Sequence, residues 1–307
     1  MSGHAKGGML VAGLGFGVAA GVAAGALVIA PNLPDGSAQE INQVRAERDD
    51  AEERAQSNEA QAKAADGVAA GLAEAALGGQ LDDVGVVVFA AASANPEDLS
   101  EVERLLEAAG AGPVSVIELT DRFFSSEGAD ELKSLVSNTL PAGAQLSEDN
   151  LSPGTHAGEA LAAALIDGED SDAVSDEDRE LLLDTLADAG FLSYEGAEPA
   201  AAAVFVGGDS DGAGNAAFGA GLAAEFMTAV AGEADGAVLA ARPGSAADAG
   251  AIGRVRSAGV DGLSTVDSLD RGWGRVATVL ALAEALDGTT GDYGAAKGAD
   301  APVPRAN

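Results

Sequence analysis

The residues of this chain best placed for chemistry form a glycine-rich turn, Gly207-Gly208-Asp209-Ser210-Asp211-Gly212-Ala213-Gly214-Asn215-Ala216-Ala217, after an apolar run ending at Val206. Gly212, Gly214 and Ala217 match the loose G-x-G-x-x-A form of a dinucleotide loop, and Glu233 stands about where a ribose-binding acid would. Two features oppose that chemistry. In a true fingerprint the first glycine follows the strand almost directly, whereas Gly212 comes six residues after Val206. Asp209 and Asp211 also put negative charge where phosphate would sit. We assign no cofactor and no cofactor-binding residue on this pattern.

Other chemistries find less support. Asp209-x-Asp211-Gly212 and the acidic run from Asp167 to Asp178 offer carboxylates at short spacing, but neither has the Asp-x-Asp-x-Asp-Gly run of a calcium loop with its closing glutamate. Soft-metal ligands are sparse: His4, His156, Met1, Met9 and Met227, with no cysteine and no ligand-like spacing among them. No metal site is assigned. His156 reads as a surface or capping residue at a helix start. With that single histidine beyond the N-terminus and no G-x-S-x-G, no hydrolase triad is legible, and no catalytic residue is assigned. The net charge of −34 argues against nucleic-acid binding, because phosphate would be repelled.

The elements that would position these groups begin with a membrane anchor. Gly8 to Ala30 is uncharged and apolar, long enough as a helix to cross the roughly 30 Å hydrocarbon core of a bilayer. A cleaved signal peptide would have an apolar region of only about 7–15 residues, so an uncleaved anchor is expected. Lys6 before it and acidic sequence after it put residues 1–7 in the cytoplasm and the bulk of the chain outside. Gly13, Gly17, Gly21 and Gly25 share one helix face, a surface for close helix association.

Residues 31–37 form a linker, and a charged helix is expected over 38–79. Ile41, Val44, Arg48, Ala51, Ala55, Asn58, Ala62, Ala65, Ala69, Leu72 and Ala76 alternate in steps of three and four, the heptad pattern of a coiled coil. Asp50 with Arg54 and Glu59 with Lys63 add i, i+4 pairs in the favourable order. An Ala-faced helix is marginal alone and is expected to pair with a copy of itself or to dock on a partner.

From residue 81 to 287 short apolar strands alternate with helices. Strands are expected at Val84–Ala90, Val114–Leu119, Ala202–Val206, Gly236–Ala241 and around Leu263. Asn95 and Ser175 signal helix starts, and a last helix runs from Gly274 to Leu286. The fold class expected is α/β: a single transmembrane helix, a coiled-coil stalk, then a parallel-sheet, Rossmann-like domain with helices on both faces. The Gly, Pro and Ala content of 288–307 predicts a disordered tail.

Several segments recur in a known family. They are Glu118-Leu119-Thr120-Asp121-Arg122-Phe123, Gly154-Thr155-His156-Ala157-Gly158-Glu159 and Val204-Phe205-Val206-Gly207-Gly208. Most distinctive is Ser264-Thr265-Val266-Asp267 followed by Gly274-Arg275-Val276-Ala277-Thr278-Val279-Leu280-Ala281-Leu282. In this order, with the anchor and the heptads, they resemble the actinobacterial MctB family, usually named copper transporter, whose corynebacterial members are also called SteB. The resemblance implies an oligomeric, non-enzymatic envelope protein. In the mycobacterial branch the implied role is a pore-forming part in copper efflux; in the corynebacterial branch it is a coiled-coil scaffold with a cytoplasmic or envelope partner in growth and division. Where that family's pattern is Gly-His-Tyr-Gly, this chain has Gly291-Asp292-Tyr293-Gly294, without the histidine. Outer-membrane pores are normally closed barrels of alternating strands, and the short apolar strands here do not make one.

Overall fold

The computed structural model describes residues 35–167 and 174–305. The anchor 8–30, with Gly13, Gly17, Gly21 and Gly25, lies outside the described residues, as do 1–7 and most of the linker. Among the described residues no helix is long and apolar enough to cross a membrane. The chain divides into two units, Met1–Ala64 and Ala65–Asn307.

Helix α1 is Asp35–Leu77, 43 residues. It carries the expected pairs, Lys63–Glu59 at 2.7 Å and Arg54–Asp50 at 3.9 Å, both exposed. Each such pair contributes only a few tenths of a kcal/mol. Of the heptad positions, Val44 is 44% and Leu72 is 60% exposed. Ala51, Ala55 and Asn58 are exposed as well.

The second unit is built on a seven-stranded sheet in the order β3-β2-β1-β4-β5-β6-β7. Its strands are β1 (Val86–Ala91), β2 (Val114–Leu119), β3 (Leu192–Tyr194), β4 (Ala202–Val206), β5 (Gly236–Ala240), β6 (Leu263–Val266) and β7 (Asp292–Tyr293). Every pairing is parallel except β2 with β3. The helices are α2 (Pro96–Ala108), α3 (Ala129–Asn138), α4 (Pro153–Leu165), α5 (Asp176–Asp188), α6 (Ala217–Ala231), α7 (Ala251–Ala258) and α8 (Gly272–Leu286). Local chemistry sets their starts. Asn95 accepts from the Glu97 N–H, Ser152 from that of Thr155 and Ser175 from that of Asp178.

Strand parity divides the core. Val87, Phe89, Ile117, Phe205 and Leu239 face one side, against α3 to α7. Val86, Val88, Val204, Val238 and Val266 face the other, against α2, α8 and the end of α1. Both faces of the central strands are thus apolar, as expected for a parallel sheet covered on both sides.

Two strands were not expected. Antiparallel β3 is too short to show a period. β7 overturns the disordered tail: Tyr293 is buried on the sheet edge, Asp267 N–H donates to its carbonyl, and its hydroxyl donates to Glu284. A Gly-rich composition misled there because the tail is fixed by backbone pairing and one aromatic ring. The end of α1 also faces differently from the heptad count. Ala73 and Leu77, one residue beyond Leu72 and Ala76, enter the core at 1% and 0% exposure. Asp66, on that same face, accepts from the Gly272 N–H at 3.0 Å and pairs with Arg271 at 2.7 Å. It thereby caps the N-terminus of α8 from another helix.

Candidate functional site

The chain leaves β1 toward β2 on one side, then returns to β4 on the other and continues outward to β5 and β6. This reversal between β1 and β4 opens a crevice at the carboxyl ends of the strands, where open α/β sheets bind ligands. A cavity of about 720 Å³ occupies it. Its base is Ala91 at the end of β1, Phe205 in β4 and Gly207-Gly208 beyond it. Phe124 and Glu127 come from the loop after β2, Asn215 from the turn before α6 and Phe218 from the first turn of α6.

Close backbone approach explains Gly208: a Cβ there would lie 2.4 Å from the carbonyl oxygen of Ser93. Phe124 meets Phe205 edge to face at 6.3 Å between centroids, and the two rings form an apolar wall. Ser93, Asp121, Ser126, Glu127 and Asn215 line the opening without a hydrogen bond or ion pair to the rest of the described protein. Arg122 faces away, donating to the Ala189 carbonyl, pairing with Glu131 and lying 4.7 Å from the Phe191 ring centroid.

The glycine-rich turn does not make a dinucleotide site. Helix α6 begins only at Ala217, after a 3₁₀ turn at Gly214–Ala216, so neither Gly212 nor Gly214 opens the helix as the fingerprint requires. Asp209 uses its carboxylate to accept from the Gly244 N–H at 2.6 Å. Gly212, at φ +68°, lies against Ala249, where a Cβ would sit 1.9 Å from the carbonyl oxygen. Glu233 precedes β5 and so lies at the amino ends of the strands, opposite the crevice.

The Ser264–Asp267 and Gly274–Thr278 motifs are brought together as structure. Ser264 accepts from the Gly291 N–H, and Thr265 donates to Asp292. Val266 and Ala277 are in the core, and Thr278 donates to the Gly274 carbonyl. Asp267 pairs with Arg256 at 2.9 Å. Arg275 pairs at 2.6 Å with fully buried Asp98, which also holds Arg242 at 2.7 Å. Hydrogen bonding to Asp98 is the main reason the Arg242 guanidinium is held more firmly protonated than usual. Gly274 is required because a Cβ would meet the Ser268 carbonyl oxygen at 1.9 Å. Both pairings escaped the sequence reading: the partners of Asp98 lie 144 and 177 residues away, and Arg256, though only 11 residues from Asp267, meets it through the packing of α7 against β6.

His156 is neither a surface residue nor a cap. It is 6% exposed in the first turns of α4, with Nε2 3.1 Å from the Ser147 carbonyl oxygen and Nδ1 without a partner. Gly154 and Gly158 bring α4 onto α6, where a Cβ on Gly158 would lie 2.5 Å from the Phe226 carbonyl oxygen. This close packing encloses the turn that carries the imidazole. Among the described residues no three His, Cys, Asp or Glu side chains converge to hold a metal ion.

The second unit is therefore a doubly wound α/β domain with a ligand-sized crevice at its switch point. Comparison with known proteins identifies the family. Residues 9–304 match the family described as copper transport outer membrane protein, MctB. The chain is 33% identical over 225 residues to the copper transporter MctB of Mycobacterium tuberculosis strain H37Rv, covering 70% of this chain and 71% of that protein. It is 34% identical over 233 residues to that of Mycobacterium leprae strain TN, covering 71% and 73%. The chain belongs to the MctB family, as the order of its motifs indicated.

Proposed function

We propose that this chain is a membrane-anchored, oligomeric, non-enzymatic envelope protein acting in copper homeostasis, with its N-terminus cytoplasmic and its α/β domain outside. The family match over residues 9–304 carries the copper role. The anchor rests on the apolar run 8–30, and self-association on the glycine face and the heptads. Val44 and Leu72 support that association, being exposed apolar residues on a highly charged helix. Copper would be cargo and not a resident cofactor; the described residues offer it no cluster of three His, Cys, Asp or Glu ligands.

The second reading is a scaffold in which α1 and the α/β domain recruit an envelope or division partner. It is favoured by the same exposed helix and by the structural use made of every motif residue in β6 and α8. The deciding experiment is cell-associated copper under copper load in a strain lacking this gene, against a complemented strain. Excess copper that complementation removes supports the homeostasis reading. Unchanged copper overturns it and leaves the scaffold.

A further inference from the structure

Five polar side chains that line the crevice between β1 and β4 take no part in the structural networks of the described protein, whereas Ser125, Ser210 and Ser245 of the same lining do. We infer that the crevice binds an uncharged, polyhydroxylated ring ligand, a mono- or disaccharide, with the ring's apolar face on the phenylalanines and its hydroxyls on the rim. The cavity of about 720 Å³ is in the range of small-molecule sites. Its position at a topological switch point is the place where this fold class takes ligands.

The lining chemistry selects the class. Ser93, Ser126 and Asn215 are neutral groups that both donate and accept, and Asp121 and Glu127 accept. None of the five is engaged elsewhere in the described protein. Phe124 and Phe205, packed edge to face, supply an apolar wall, and Phe218, 38% exposed, stands at the mouth. Alternating apolar faces and hydroxyl edges are what a sugar presents to such a surface. An anion is disfavoured, because the lining holds two carboxylates and no Lys, Arg or His. A soft metal ion is disfavoured too, since the lining offers neither sulfur nor imidazole.

The test is a calorimetric titration of the full chain in a sugar-free zwitterionic detergent with maltose, glucose, glucosamine and glucose 6-phosphate. Saturable binding of maltose or glucose, with glucose 6-phosphate bound much more weakly, is the expected result. Ala216→Trp, which fills the mouth from a half-exposed position, and Asp121→Ala, on the exposed rim, are each expected to weaken binding at least about tenfold. Circular dichroism checks that both variants keep the fold. The inference is overturned if neither neutral sugar saturates, if the phosphate ester or the amino sugar binds more tightly than they do, or if folded variants bind as the parent does.

Discussion

The guanidinium of Arg256 and the carboxylate of Asp267 meet at 2.9 Å with side-chain exposures of 6% and 0%. Arg256 belongs to α7, and Asp267 directly follows β6. Arg256 also donates to Thr265 Oγ1 and to the Tyr293 carbonyl, and Asp267 accepts from the Ala295 and Ala296 N–H groups. One buried pair thus joins a helix, a strand and the closing segment.

Breaking that pair from one side leaves a buried charge. Asp267→Ala is expected to lower unfolding stability by about 3–5 kcal/mol, because Arg256 loses its main counter-charge. The double variant Arg256→Met, Asp267→Leu is expected to cost clearly less than Asp267→Ala alone. Urea denaturation of each variant reads both values; a single variant within about 1 kcal/mol of the parent would sink the argument.

Gly294 is expected to be intolerant of a side chain. Its φ is +134°, and a Cβ would lie 2.1 Å from Asp267 Oδ1. Gly294→Ala should destabilise by about 1–3 kcal/mol through strain and displacement of the carboxylate. Gly143, also at positive φ but with nothing within 4 Å of an added Cβ, is the control and should cost less. Equal losses at the two sites would show that backbone conformation alone matters.

Both tyrosines of the chain should resist ionisation. Burial, then the hydrogen bond to Asp184, pushes the Tyr194 phenol up to about 12. Burial, then the bond to Glu284, raises Tyr293 as well. Because both folded values lie above the unfolded value of about 10, the stability they contribute is complete below that pH. It is lost as pH rises through the folded values. Ultraviolet titration should show little phenolate near pH 10 in the folded chain, whereas in denaturant each tyrosine should be about half ionised at that pH. Ordinary titration of the folded protein would contradict the packing of β3 and β7.

Self-association should be separable from folding. Leu72 is 60% exposed, so Leu72→Glu is expected to leave stability within about 0.5 kcal/mol. Combined with Ala55→Asp it should reduce crosslinked oligomers to monomers, as should Gly17→Leu in the anchor with Ala55→Asp. Oligomers that persist in both combinations would remove the heptads and the glycine face as the association surfaces.

Much of the domain was legible in the sequence. β2 and β4 fall at the expected residues, and Asn95 and Ser175 cap the helices they signalled. The site was less so. The glycine-rich turn borders the crevice at the end of β4, but the motif within it is packing: Gly212 fits beneath Ala249, and Asp209 accepts from the Gly244 N–H. The rim residues Ser93 and Glu127 carry no pattern of their own.

What this sequence determined by itself is what neighbouring residues decide together: apolar runs, helix caps, glycine stops and the charge that excludes nucleic acid. The tertiary structure alone decided that β3 runs antiparallel, that β7 orders the tail, that Ala73 and Leu77 rather than Leu72 enter the core, and that Asp98 gathers Arg242 and Arg275. The physical reason is range. Period and capping act over a few residues. The partners of Asp98 lie 144 and 177 residues away, and only the packed sheet brings them within hydrogen-bonding distance.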